Sequence, residues 1–299
     1  MKNECVSIFL RGISVLVRSM PINIKIKGFF IRYSLLLKKY RINYIFKCKR
    51  IGIVWSSAGF PDVLTRHMMF EGMYQEDVLV ALRHIIKLGD TVFDVGGHHG
   101  LMAIISSFAA GPQGRVITFE PNPHAREYLK QHISINGISN VEVQPVALTD
   151  KDGIMPFFVQ SGDVTWNSSI IKDFASSDEN AGSIMIKAMT LDGFTNNTGY
   201  IPKVIKIDVE GAEFLVLRGA LETIRKHRPA VIMEFNPASA AAAKTSINDI
   251  VECFKELSYK LLVLEPSFFG YYAFNRQVVF DENRHSYGEK LCNVICLPS

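Results

Sequence analysis

An α/β fold built on a parallel sheet is predicted by three observations. From residue 91 onward, short β-branched runs alternate with apolar stretches of helical spacing. The first run, Thr91–Val95, carries Asp94 near its end and passes through glycines straight into a helical pattern, in the stretch TVFDVGGHHG. The second run, Arg115–Phe119, is followed at once by another carboxylate, Glu120. A strand, a tight turn and a helix, followed by a strand ending in an acid, is the arrangement that binds a nucleoside at the C-terminal edge of a parallel sheet.

Before that unit, residues 72–88 have helical apolar spacing, and Gly89 and Asp90 supply the turn that lets the first strand begin. A crossover helix is expected over Leu101–Ala110, ended by Gly111-Pro112-Gln113-Gly114. The next helix spans 123–136, with Pro123 in its first turn and Gly137 just past its end. A third strand is expected over 141–148, where Ala147 is small enough to leave room for an adenine. Residues 149–194 break the rhythm with two strand-like runs, 154–159 and 183–189, around a polar loop containing Trp166, Asn167, Ser168 and Ser169. An excursion of that length beside the sheet's C-terminal edge suits a substrate cover. The sheet resumes at 203–209, a helix follows over 214–227, and a strand over 230–233 leads into Glu234. A helix over 247–257 and strands over 260–264 and 293–297 complete the reading.

The spacing of the first turn decides which nucleoside. A dinucleotide fingerprint needs G-x-G-x-x-G, whose middle glycine admits a pyrophosphate. Here that position is His98, and the pattern is D-x-G-x-x-x-G. A ring there disfavours a pyrophosphate but not S-adenosylmethionine, whose ribose suits Glu120 and whose charged methionine part suits Asp94 and open backbone groups. Gly96 and Gly100 are the positions where a missing Cβ lets backbone or ligand approach closely.

Charge is unevenly spread. Residues 1–50 carry twelve Lys and Arg against Glu4, a net of +11, and the remainder has 21 basic against 28 acidic residues, a net of −7. Arg11, Arg18, Lys25, Arg32 and Lys39 recur every seven residues, but Pro21 and Gly28 break any single helix. They also interrupt the ~18 uncharged residues that a membrane span requires. Two readings stay open for this segment: a basic surface on anionic lipid or a lipid-linked substrate, or a helical extension packed on the core with solvated charges. No secretory leader is expected, since Arg11 splits the apolar region and no small-residue cleavage site follows. The five cysteines, Cys5, Cys48, Cys253, Cys292 and Cys296, have no metal-site spacing and form no even disulfide set. A reducing cytoplasm is therefore the expected setting, with the sequons at Asn167 and Asn196 silent.

The series DVGGHHG, GRVITFEPNP, NGISNVEVQPVALTDKDG, LDGF, KIDVEGAEFLVLRGA and RPAVIMEFNP resembles the FkbM family of S-adenosylmethionine-dependent methyltransferases, over about residues 70–240. The resemblance implies a doubly wound, seven-stranded, mostly parallel sheet of the Rossmann-like class I methyltransferase type with its last strand antiparallel. It also implies O-methylation of a sugar, glycan or other small hydroxylated acceptor. With the charge asymmetry, the expected division is a basic extension, 1–69, and a methyltransferase domain, 70–299, with a substrate-side insertion at 149–194. Carried over by position, Asp94, Gly96 and Gly100 would line the cofactor, Glu120 would hold the ribose, and Asp208 and Glu210 would face the methyl. Gly97, His98, Pro121, Asn122, Ala147 and Asp208 are also expected at the cofactor, Asp208, Glu210 and Glu234 are expected to position the acceptor, and these acids with His98 and His99 are the candidate bases. No metal is expected, a divalent ion on Asp208, Glu210 and Glu234 being the weighed alternative. His98 departs from the asparagine usual in the family. Two other function classes are weighed against this one. A nucleic-acid methyltransferase would use the basic segment on phosphates, which the acidic balance of the rest opposes. A non-catalytic fold relative docking on membranes or partners would need none of Asp94, Glu120, Asp208 and Glu210.

Overall fold

The computed structural model describes residues 45–57, 62–159, 168–172, 182–242, 244–267, 272–281 and 292–299. The heptad-spaced cations and helices expected before residue 45 lie outside these, as do Trp166, Asn167 and Cys5. The description begins with a hairpin of β1 (Ile45–Cys48) and β2 (Ile53–Ser56), then α1 (Val63–Phe70) and α2 (Glu76–Ile85). Asp62 caps α1 by accepting the Leu64 and Thr65 amides, as a short acidic side chain at that position does.

The parallel unit follows as β3 (Thr91–Val95), α3 (Leu101–Ala110), β4 (Arg115–Phe119), α4 (Pro123–Ile135) and β5 (Val141–Gln144). Next come β6 (Ala147–Leu148), β7 (Gly153–Val159) and β8 (Gly182–Met189), which form a separate three-stranded sheet, order β6-β8-β7. The main sheet resumes through α5 (Leu191–Thr198), β9 (Val204–Ile207), α6 (Glu213–Arg218), α7 (Leu221–His227) and β10 (Ala230–Phe235). It ends with α8 (Pro237–Ala242), α9 (Ile247–Glu256), β11 (Tyr259–Leu264), β12 (Gln277–Val279) and β13 (Cys292–Pro298).

The main sheet has the order β12-β11-β13-β10-β9-β3-β4-β5. Pairs from β5 to β10 are parallel, and β13 runs antiparallel between β10 and β11. The doubly wound class I arrangement is therefore present. Its strand count is eight rather than the expected seven, because the short edge strand β12, which carries little apolar alternation, pairs with β11. Alternate residues feed two cores, one on each face. Val92, Val116, Val204 and Ile232 meet the hairpin, α1, α2 and α3, and Phe93, Ile117, Ile205 and Val231 meet α5, α6, α7 and α9.

Three expected elements break where local chemistry demands it. The strand expected over 141–148 divides at Pro145, which has no N–H to give a ladder. The helix expected over 214–227 divides at Gly219, where a Cβ would lie 2.0 Å from the Thr149 carbonyl oxygen of the insertion. The strand expected over 203–209 ends at Ile207, and the chain turns through Glu210 at φ 53°. The division expected at residues 69 and 70 also falls inside continuous packing. Phe46, Cys48, Ile53 and Trp55 belong to the same core as Val92 and Ile295. Trp55 stacks on His132 of α4 at 3.7 Å. The Ser56 amide donates to His132 Nε2 at 3.2 Å, and Nδ1 lies 2.8 Å from the His99 carbonyl. One ring nitrogen must accept and the other must donate, so His132 is held as a single neutral tautomer, and burial lowers it to about 4.

Candidate functional site

The C-terminal ends of β4, β3, β9 and β10 open on one cleft of about 920 Å³, its mouth to solvent included. Its floor is the backbone of Gly96 and Gly97. A smaller recess of about 310 Å³ adjoins it through Gly96, Pro121, Phe157 and Val209, and is lined by apolar residues including Ala147, Val146 and Leu148.

The glycines of the first turn are spaces already filled by the protein. A Cβ on Gly96 would lie 1.8 Å from the Asp208 carbonyl oxygen, and one on Gly97 would lie 2.1 Å from Thr118 Oγ1. Gly100 caps α3 at φ 91° against Leu129 and does not line the cavity. The turn thus has to be glycine-rich so that β9 and β4 can close on it, which leaves its backbone flat toward the cavity.

Glu120 is anchored at both oxygens. Oε2 accepts the His98 amide and Oε1 the Asn122 amide, each at 2.7 Å. A carboxylate has about four acceptor positions, so capacity remains on both oxygens for a pair of neighbouring hydroxyls. Replacing Glu120 with alanine is expected to leave two amides without their acceptor and to weaken binding of S-adenosylhomocysteine by at least ~10-fold, at ~1–3 kcal/mol per lost partner. Unchanged affinity by calorimetry would remove Glu120 from the nucleoside site.

Asp94 does not face the cavity. It is fully buried, and strand register places it between Thr118 and Lys206, forming one polar row across β4, β3 and β9. Thr118 Oγ1 donates to its Oδ2 at 2.9 Å, and the Lys206 ammonium lies 3.6 Å from its Oδ1. Lys206 also donates to the Gly96 carbonyl at 3.0 Å and lies 3.5 Å from Asp208 Oδ2. Burial works to lower the Lys206 pKa, but Asp208 and Asp94 overcome it and hold the ammonium above its ordinary value. Of the remaining residues expected at the cofactor, Pro121 lines the cavity. Asn122 instead caps α4 through its side chain, while its amide group reaches Ser168 Oγ at 3.4 Å.

Asp208, Glu210 and Glu234 all line the cavity. Burial is the main cause of the raised pKa of Glu210, to about 8, and of Glu234, well above the carboxylate range; Asp208 is the next cause for both. Glu213 lies behind them with its carboxylate accepting the Val209 and Gly211 amides, and burial raises it to about 7. Oxygens of Asp208, Glu213 and Glu234 come within 4.8 Å of one another. Gln75, which enters α2 at φ 47°, reaches Asp208 Oδ2 at 3.4 Å. Ser169 Oγ donates to the Glu210 carbonyl at 2.7 Å, so the insertion is tied to the acid-bearing turn.

His98, at φ 45°, stacks on His99 at 4.0 Å, and its Nε2 lies 3.6 Å from Asp62 Oδ2. Lys206, Tyr74, Gln75 and Phe157 are lining residues that the sequence reading did not single out. A signal for one was present: Lys206 stands between two isoleucines of a strand whose residues are all buried.

A family model described as the methyltransferase FkbM domain matches residues 94–261, more than half of the chain. The chain belongs to the FkbM methyltransferase family. This FkbM-family chain is 29% identical over 154 residues to the hexuronic acid methyltransferase AglP of Haloferax volcanii, covering 50% of this chain and 58% of that protein. It is 33% identical over 63 residues to an uncharacterized protein of Methanocaldococcus jannaschii, covering 21% of this chain and 23% of that one. The FkbM chain therefore spans less than two thirds of the length of either relative. Among solved structures, methyltransferase FkbM from Methylobacillus flagellatus superposes with a TM-score of 0.43 at 13% identity, covering 79% of this chain and 53% of that chain. Among the described residues, no helix is long and apolar enough to cross a membrane.

Proposed function

We propose that this protein methylates a hydroxyl oxygen on a sugar or a similar polyhydroxylated small molecule. The observation that carries the reading is the line of acids along one cavity edge: Glu120 after β4, Asp208 after β9 and Glu234 on β10. Strands lie ~4.8 Å apart, so Glu120 and Asp208, two strands distant, are separated by roughly 10 Å along that edge.

The residues fit the cofactor. Glu120 keeps acceptor capacity for the ribose hydroxyls, and the apolar recess beside Ala147 suits the adenine. An acid-rich wall favours a ligand bearing a sulfonium and an ammonium. Gly96, Gly97, His98, Glu120, Pro121, Ala147 and Asp208 would hold it, with Asp94 acting from beneath through Lys206. When bound, S-adenosylmethionine supplies an electrophilic methyl group. The protein then has to aim a hydroxyl oxygen at that methyl and take the proton the oxygen sheds. Asp208, fixed between Lys206 and Gln75, orients the hydroxyl. Glu210 and Glu234 are buried carboxyls whose raised pKa values make them better proton acceptors than an exposed acid. Residues 149–194 serve as the substrate-side cover, since Phe157 and Ser168 from that segment line the cavity.

Two measurements test this. Calorimetric titration should show binding of S-adenosylhomocysteine and none of NAD. Transfer of labelled methyl to simple sugar glycosides should be lost by at least ~100-fold in Asp208→Ala, while the variant still binds S-adenosylhomocysteine. An Asp208→Ala protein with full turnover would take that residue out of the mechanism.

A further inference from the structure

We infer that the acceptor is a neutral or amine-bearing sugar, and that the site rejects acceptors carrying a carboxylate. This rests on the reading of the protein as a sugar methyltransferase and adds the charge class of its substrate. The relative named above as a hexuronic acid methyltransferase makes the question concrete, because a hexuronic acid carries an anionic group beside its hydroxyls.

The charges that face the cavity set this preference. Among the described residues lining it, four are carboxylic acids, Glu120, Asp208, Glu210 and Glu234, and the one Lys or Arg is Lys206. That lysine is already committed. Its ammonium donates to the Gly96 carbonyl and lies within 3.6 Å of both Asp94 and Asp208, while it is only 4% exposed. It therefore balances acids that belong to the protein and has no free face for a substrate carboxylate. His98 also lines the cavity, but its ring lies 3.6 Å from the buried Asp62 carboxylate. Recognition of a uronate calls for a fork of donors, as arginine provides, and no arginine lines the cavity among the described residues.

Four carboxyl groups face the cavity against a single ammonium that the protein's own acids already hold, an excess of acid over base. The cofactor's net single positive charge does not cancel it. A carboxylate brought into this low-dielectric wall meets like charge at short range, where repulsion is poorly screened. A protonated amine meets the opposite, and a neutral hydroxyl loses nothing. The insertion repeats the sign: residues 149–194 carry seven acids against three lysines.

The test compares matched methyl glycosides of glucose, glucosamine and glucuronic acid as acceptors of labelled methyl, with EDTA and separately with magnesium. Binding of each glycoside to the protein loaded with S-adenosylhomocysteine is measured alongside. The expected result is a kcat/KM for the neutral and amino sugars at least ~10-fold above that for the uronate, with the same order in binding. Glucuronide used as well as glucoside would overturn the charge inference and leave sugar methylation standing. Glucuronide turnover that appears once magnesium is supplied would also overturn it, because a divalent cation among Asp208, Glu213 and Glu234 would reverse the sign of the wall. If none of the three is bound or methylated, the sugar reading itself falls and this inference falls with it.

Discussion

Replacing Lys206 with methionine is expected to destabilise the folded protein by about 3–5 kcal/mol, the cost of leaving a buried charge without its partner. The stranded group is Asp94, which is fully buried and has one other side-chain partner, Thr118. Because Lys206 is itself 4% exposed, solvent screening offers little relief. The Gly96 carbonyl would lose its donor at the same time, so the floor of the cofactor site should loosen with the fold. Urea denaturation of the parent, Lys206→Met and the double variant Asp94→Asn with Lys206→Met decides the matter. The double variant should recover much of the loss, since removing both charges is far cheaper than removing one. A single variant as stable as the parent would show that Asp94 carries a proton and that no ion pair joins β3 to β9.

The second large effect is expected at Glu210. Glutamine there should lower turnover by ~100- to 10,000-fold, the range associated with losing a general base. The pH dependence makes this separable from simple loss of fit. Glu210 sits at about 8 in the folded protein against an ordinary 4.5, chiefly through burial. The carboxylate form therefore grows in as pH rises toward 8, and kcat/KM of the parent should rise with it, while the Glu210→Gln profile should lack that rise. Stability runs the other way. A carboxyl with a raised folded-state pKa binds its proton more tightly when folded, so its contribution is full below about 4.5 and is lost as pH climbs through about 8. Parent and variant should thus diverge in denaturation midpoint between those limits. A parallel pair of profiles would assign the proton to another group, with Glu234 next in line.

How much of this was legible from residues depends on the range over which each signal acts. Thr91–Val95, Leu101–Ala110 and Arg115–Phe119 begin and end where β-branched runs, helical spacing and turn residues place them, because those signals are local. Glu120, Asp208, Glu210 and Glu234 were legible for the same reason: each is an acid at or just past a strand's end. Lys206 was not, because its role comes from a register that pairs it with Asp94 on the neighbouring strand, and a single strand's pattern carries no register. Asp94 was placed at the cofactor by its position in the turn motif, yet the same register turns it inward. Gly96 and Gly100 were read as sites where backbone or ligand approaches, and the neighbours there are the Asp208 carbonyl and the Leu129 side chain. Gln75 was hidden differently, since it acts from an element outside the parallel unit.

The place of β13 in the sheet bears on how the chain is made. It lies between β10 and β11, pairing with both, although its residues, Cys292–Pro298, come after those of both neighbours. While a ribosome is still extending the chain, the edges of β10 and β11 that β13 will join stay open. The acid wall on β10 therefore borders an unfinished edge until residue 298 has emerged. Nascent chains halted after β11 would present two unpaired edges, a known route to aggregation. The acid-bearing edge is therefore completed out of chain order: β13, made after both of its neighbours, has to enter between them.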